Sequence, residues 1–206
     1  FRAADIVLVL SEDYYQNSDL ARLKLNRIEI IPHGINTESF RPYELRTNRE
    51  LTNSSYVRMS SSVRTEAPTI LFVGGLDRAH YFKGVPVLIE ACRILKKRGV
   101  KLVCKIVGEG EMRKEYEEQA KEAGLIYRGP ASVATEAGPP DIQFIGLVLH
   151  EQLPLYYQQA TVVVVPSTSP IECFSIVAAE AQACGVPVIV TDFPGVRVTV
   201  EDGKTG

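Results

Sequence analysis

The chain has 206 residues, 45% of them hydrophobic and 23% charged, which are the proportions of an ordinary globular protein. With 23 basic against 25 acidic side chains the net charge is −2, giving no basic surface for nucleic acid, and no apolar run approaches the ~20 residues of a bilayer span. Four cysteines, Cys92, Cys104, Cys173 and Cys184, lack both the density of a disulfide scaffold and the C-x-x-C spacing of a zinc site, so they read as reduced thiols of a cytoplasmic protein, three of them core filler.

The first turn of the chain carries no secretion signal. Phe1 falls in mid-pattern and Gly206 closes a turn-like DGKTG, so the sequence reads as a piece of something longer. A strand is predicted over Ile6–Leu10 and a helix over Tyr14–Lys24, ending before Asn26. Ile28–Ile31 is a short strand running into Pro32-His33-Gly34, where His33 reads as a loop hydrogen-bonder rather than a base. Tyr43–Pro68 is polar, rich in Ser, Thr and Asn and aperiodic, as a linker or flexible insertion is.

A new pattern begins at Thr69. Ile70–Val73 is a strand, Gly74-Gly75 follow it, and Lys83-Gly84 precede an amphipathic helix, Val85–Arg98, with Val87, Leu88, Ala91, Ile94 and Leu95 at helical spacing. A glycine pair after a strand lets the backbone approach a ligand, and Lys83 is placed to set a cation on a phosphate. The plainer alternative is a solvated lysine beside a turn. Leu102–Val107 is the next strand, then a Gly108-Glu109-Gly110 turn and a charged helix, Met112–Ala123. G-x-G suggests a dinucleotide fold, but the third glycine of the fingerprint is Arg113, which argues against an oxidoreductase. Tyr127–Asp141 is a Gly/Pro/Ala-rich insertion without a functional reading. Ile142–Ile145 is a strand, Gly146–Leu149 a turn, and Glu151–Gln159 a short helix with Leu153, Tyr156 and Tyr157 inward and His150 at the surface.

Val162–Val165 has the β-branched run of a strand buried on both faces. Pro166–Pro170 stops it, Phe174–Cys184 follows as a helix, Gly185-Val186-Pro187 ends that helix, and Val188–Val190 is a second strand. Strands alternating with helices predict an α/β fold, a Rossmann-like parallel sheet with helices on both faces. Ligands of such sheets bind beyond the carboxyl ends of the strands, which points to Ser167–Ser175. Glu172 and Glu180 mark that stretch, and the free amides around Phe174–Ile176 offer an anion site. On spacing alone the stronger reading of the pair is plainer: Glu172 favours the helix dipole and Glu180 makes a surface salt bridge.

The wider pattern carries more. Pro166-Ser167, Glu172-Cys173-Phe174-Ser175, Glu180-Ala181, Ala183-Cys184-Gly185 and Pro187-Val188 together resemble the Glu-x7-Glu donor motif of retaining glycosyltransferases of family 4, which have the two-domain GT-B fold. The resemblance implies a C-terminal donor-binding domain over 69–206, truncated at its C-terminal end. Ile28–Pro42 resembles the crossing between the two domains, so 1–31 would be the tail of the N-terminal, acceptor-binding domain and 32–68 the crossing and linker. It further implies that Glu172 and Glu180 are the catalytic pair, Glu180 accepting hydrogen bonds from ribose hydroxyls and Glu172 holding the transferred sugar. Lys83, with Gly74 beside it and the amides of Phe174–Ile176, would take the diphosphate.

Three departures qualify that picture. The family's VGRL segment reads Val73-Gly74-Gly75-Leu76 here, so its arginine is Gly75 and the loop to Lys83 is longer, with Arg78 the candidate replacement cation. Cys173 and Ser175 stand where the family has glycine; Ser175 would compensate with a hydroxyl hydrogen bond to the donor while Cys173 narrows the pocket. Gly108 and Gly110 would touch the nucleotide through backbone only, and the turn containing Val148 would line the base pocket.

As implied by this resemblance, the whole enzyme transfers a sugar from a nucleotide-sugar with retention, using no metal and no cofactor. Its acceptor is a saccharide or a lipid-linked saccharide held by the other domain, with peripheral association at the cytoplasmic membrane face and no nucleic acid partner. The fragment alone would bind donor and turn over little or nothing. Two alternatives stay open: a non-catalytic nucleotide-sugar-binding module, and a sugar-nucleotide epimerase of the same architecture.

Overall fold

A computed structural model describes residues 5–23, 25, 27–42, 67–126 and 141–206. The linker expected before Thr69 and the insertion expected after Tyr127 fall almost entirely outside these residues.

The N-terminal piece is a pair of parallel strands, β1 (Val7–Val9) and β2 (Ile28–Ile30), with Val7 opposite Ile28. Between them, the single helix expected over Tyr14–Lys24 is two shorter ones, α1 (Glu12–Gln16) and a 3-10 turn, Asp19–Leu23. The reason is local. The Ser11 hydroxyl accepts from the Tyr14 amide, starting α1 two residues early, and the Ser18 hydroxyl bonds back to the Tyr15 carbonyl, ending it.

The larger unit is a five-stranded sheet of β3 (Thr69–Val73), β4 (Val103–Val107), β5 (Ile142–Gly146), β6 (Val162–Val165) and β7 (Val188–Val190), in the order β5-β4-β3-β6-β7. Every neighbouring pair is parallel. The helices α2 (Val85–Lys97), α3 (Arg113–Glu122), α4 (Leu153–Gln159) and α5 (Ile176–Ala183) connect the strands. Adjacent strand residues point to opposite faces, and the two cores follow that alternation. Leu71 packs with Tyr157, Ala178 and Ala181 of α4 and α5, whereas Phe72 packs with Leu88, Cys92, Tyr116 and Ala120 of α2 and α3. Helices therefore cover both faces, as expected. Cys92, Cys104 and Cys184 are buried and Cys173 is half-buried.

The buried stripe of α2 keeps Leu88 and Leu95 of the expected one and differs in the rest. It runs Val85, Leu88, Ile89, Cys92, with Leu95 packed against it, while Val87, Ala91 and Ile94 face solvent. A helix this apolar offers two overlapping stripes at the same period, and the one that contains Val85 is selected where Gly84 delivers the chain against β6. Gly84 has φ of +74°, and a Cβ there would lie 1.9 Å from the Pro166 carbonyl oxygen. Gly84→Ala is therefore expected to force the two loops apart and lower the thermal midpoint by at least about 5 °C in calorimetry. An unchanged midpoint would contradict the placement.

The crossing segment belongs physically with the larger unit. Phe40 is buried among α4 and α5, 6.0 Å from the Tyr157 ring, and the Gln158 amide donates to the Arg41 carbonyl at 2.7 Å.

A second tie runs from α1. Asp13 accepts from Arg197 Nε at 2.9 Å, from Arg197 Nη2 at 2.5 Å and from the Gly195 amide at 3.1 Å. The Arg197 hydrogen bonds hold the Asp13 carboxyl below its ordinary value, more than its partial burial raises it. A carboxyl lowered on folding adds stability above its unfolded pKa and loses it as pH falls through the folded one. Comparing urea midpoints of the wild type with Asp13→Asn, the wild-type advantage at neutral pH is expected to shrink below about pH 4. A constant difference across that range would refute the pairing.

Among the described residues no helix is long and apolar enough to cross a membrane.

Candidate functional site

β3 lies at the centre of the sheet; from it the chain passes outward to β4 and β5, then returns to β6 on its other side. The crevice opens at that reversal, beyond the carboxyl ends of β3 and β6. The loops that leave those two strands, 74–84 and 166–175, form its walls, joined where the Thr168 amide donates to the Phe82 carbonyl at 2.7 Å.

Lys83 reaches across the crevice, its Nζ 3.3 Å from Glu172 Oε1. The other Glu172 oxygen accepts from the Ser167 hydroxyl at 2.6 Å, and the carboxylate is 91% buried. One of the three ammonium donors is thus engaged and the ring of Phe82 lies 5.5 Å from Nζ, which leaves the cation with donors for a further partner. Gly74 is glycine for a steric reason: a Cβ there would meet Lys83 Cδ at 2.8 Å, so the lysine stem lies over it.

Glu180 sits at the start of the second turn of α5 and is only 4% exposed, unlike a surface salt-bridge partner. Tyr157 donates to Oε2 and His150 Nε2 contacts Oε1, both at 2.7 Å. Burial, then the charge of Glu180, push the Tyr157 hydroxyl well up, so it stays a donor. Two of the four lone-pair directions of the carboxylate remain for a ligand's hydroxyls.

The helix start differs from the one expected. α5 begins at Ile176 rather than Phe174, and fully buried Ser175 is its N-cap, the hydroxyl oxygen accepting from the Ala178 amide at 3.3 Å. That capping role uses a lone pair of the oxygen and leaves the hydroxyl hydrogen to donate. The amides of Phe174, Ser175 and Ile176 have no protein acceptor among the described residues and remain the anion-facing groups. Cys173 packs its backbone under Gly195, and Phe174 faces the other way, its ring 5.8 Å from that of His33. There Phe174 joins Leu10, Ser11, Glu12, Asp13, Ile30 and Val198 around an apolar cleft of about 640 Å³ between the N-terminal strands and the larger unit.

Gly108 and Gly110 lie where neighbouring loops touch. Their Cβ positions would lie 1.9 Å from the Gly74 carbonyl oxygen and 2.1 Å from the Leu76 carbonyl carbon, so they let two loops touch. The Gly108 amide is donated to the Gly146 carbonyl at 2.9 Å, leaving that N–H no contact to offer a ligand. Val148 turns back onto the core formed by α4 and α5, while Leu147 and Leu149 on either side are exposed. Arg78 does not enter the crevice; its side chain is 81% exposed and its Nε lies 3.9 Å from Glu111.

The structure therefore brings Lys83, Glu172 and the amides of 174–176 to one mouth and gives Glu180 a buried frame of its own. His150 is at the surface, its side chain 69% exposed, and Tyr157 is packed inward, both as expected; what sequence reasoning missed is that both reach Glu180. Nothing local marks them, because Glu180 lies 23 and 30 positions away and only the strand order joins them. Among the described residues no group of three or more His, Cys, Asp or Glu side chains is gathered as a metal site.

Comparison with known proteins matches residues 67–206 to the family model described as glycosyl transferases group 1. A D-inositol 3-phosphate glycosyltransferase of Paenarthrobacter aurescens is 34% identical over 186 residues, covering 88% of this chain and 39% of that protein. An uncharacterised glycosyltransferase of Methanocaldococcus jannaschii is 32% identical over 182 residues, covering 88% of this chain and 40% of that protein. Among solved structures, sucrose-phosphate synthase from Thermosynechococcus elongatus superposes with a TM-score of 0.70 at 30% identity, over 100% of this chain and 45% of its own. The chain thus spans less than half the length of each of these three proteins.

Proposed function

The chain belongs to the glycosyl transferases group 1 family, and from that premise we propose that it forms the nucleotide-sugar donor site of a retaining GT-B hexosyltransferase. The observation that carries the reading is the pair of buried carboxylates, Glu172 held by Lys83 and Ser167 at the crevice mouth and Glu180 held by His150 and Tyr157. In this reading the diphosphate lies against the amides of Phe174–Ile176 with Lys83 beside it. Both stabilise the negative charge that develops on the departing nucleoside diphosphate. Glu180 accepts from the ribose hydroxyl pair and Glu172 orients the transferred sugar, so the chain acts by positioning and electrostatics and needs no metal or cofactor. The acceptor, a saccharide or lipid-linked saccharide, is held with a second domain that this chain does not contain, so the chain alone binds donor without appreciable transfer.

A panel of UDP-glucose, GDP-mannose and ADP-glucose in thermal-shift and calorimetric titrations tests this. A selective binder at about 100 times its dissociation constant is expected to stabilise the fold by about 2.7 kcal/mol. No shift with any of the three would refute the reading.

A further inference from the structure

We propose that His80 is the second cation of the donor site, its imidazolium taking an oxygen of the sugar nucleotide's diphosphate together with Lys83. The inference rests on the donor-site reading above and names a residue that reading does not use.

The argument starts at Gly75, at the carboxyl end of the strand that bounds the crevice. A Cβ there would meet His80 Nδ1 at 2.9 Å and His80 Cγ at 3.1 Å. The imidazole thus fills the volume into which a side chain at position 75 would project, just as the Lys83 stem fills the volume beside Gly74. Two successive glycines at the strand end are each overlaid by a basic side chain from the same 3-10 segment, Arg78–Lys83. The segment kinks at His80, whose φ is −103° and ψ 15°.

The ring is built in rather than loose. The His80 amide donates to Asp77 Oδ1 at 3.2 Å, and Nδ1 lies 2.9 and 2.8 Å from the two Asp77 oxygens. Nδ1–H therefore points at Asp77, while Nε2 has no partner among the described residues and the side chain is 43% exposed. The hydrogen bond from His80 in turn holds the Asp77 carboxyl below its ordinary value, as an imidazolium–carboxylate pair does. Asp77 fixes the ring and leaves Nε2–H free to bond an anion. Arg78, by contrast, lies out over Glu111.

Calorimetric titration of the full chain with UDP-glucose, GDP-mannose and ADP-glucose tests this. His80→Ala is expected to lose about tenfold in affinity for the probe that the wild type prefers, a charge-assisted hydrogen bond having been removed. His80→Gln, which keeps a polar side chain without the charge, carries the same expectation. Gly75→Arg in the His80→Ala background, with the ring's volume vacated, is expected to restore affinity. Binding that His80→Ala and His80→Gln leave unchanged would overturn this inference alone. Failure of the wild type to bind any probe would overturn the donor-site reading and this inference with it.

Discussion

Glu180→Ala is expected to weaken sugar-nucleotide binding by at least about a hundredfold, since two charge-assisted hydrogen bonds to ribose hydroxyls are worth about 1.5–3 kcal/mol each. The effect is chemical and not only architectural. Tyr157 and His150 each hold one oxygen of the carboxylate at 2.7 Å, and its other lone pairs are left for a ligand. The substitution also strands the buried Tyr157 hydroxyl, at a cost of about 1–3 kcal/mol in unfolding free energy. Glu180→Gln separates the two effects. It keeps the volume but turns an acceptor into a donor, so binding is expected to fall nearly as far while the fold loses less. Calorimetry beside urea unfolding reads both quantities. A stable Glu180→Ala that binds like the wild type would remove Glu180 from the site.

Lys83→Met is expected to have the second largest effect, a loss of about thirtyfold or more in donor affinity as the cation beside the diphosphate disappears. Methionine keeps the apolar stem that passes over Gly74. It leaves Glu172 with the Ser167 hydroxyl as its remaining partner in a largely buried pocket. Since Lys83 itself is partly exposed, the stability loss is expected at about 1–3 kcal/mol, below that of a fully buried pair. Lys83→Arg, with a longer reach and a planar head, is expected to recover part of the affinity and little of the Glu172 contact. An affinity unaffected by Lys83→Met would place the diphosphate elsewhere.

Much of the fold is legible because its signals are periodic. Val162–Val165 announces a doubly buried strand by composition, and the strand–helix alternation from Thr69 onward forces a parallel sheet with two covered faces. Boundaries and faces are less legible where two local solutions compete. Phe174 looks like a helix start, yet Ser175 is the better N-cap and wins. On α2 two apolar stripes share one period, and only the contact of Gly84 with the loop after β6 decides between them.

The site divides the same way. Lys83, Glu172 and Glu180 stand out in a motif that the chain keeps in order. The frame around Glu180 does not, because His150 and Tyr157 come to it through tertiary packing. The role of Gly108 and Gly110 is likewise a matter of two backbones touching, which a glycine spacing also produces when it binds a nucleotide. Asp77 caps the segment three residues before His80, and the His80 ring bonded to it lies over Gly75.

The most direct test of the central claim is an amide chemical-shift titration of the isotopically labelled chain with whichever sugar nucleotide binds in the panel. The account predicts that the large shifts gather at Gly74–Lys83, Phe174–Ile176 and around Glu180, and that they vanish in Glu180→Ala. Shifts gathered instead at Leu10, Ile30 and Val198, around the apolar cleft beside the N-terminal strands, would contradict it.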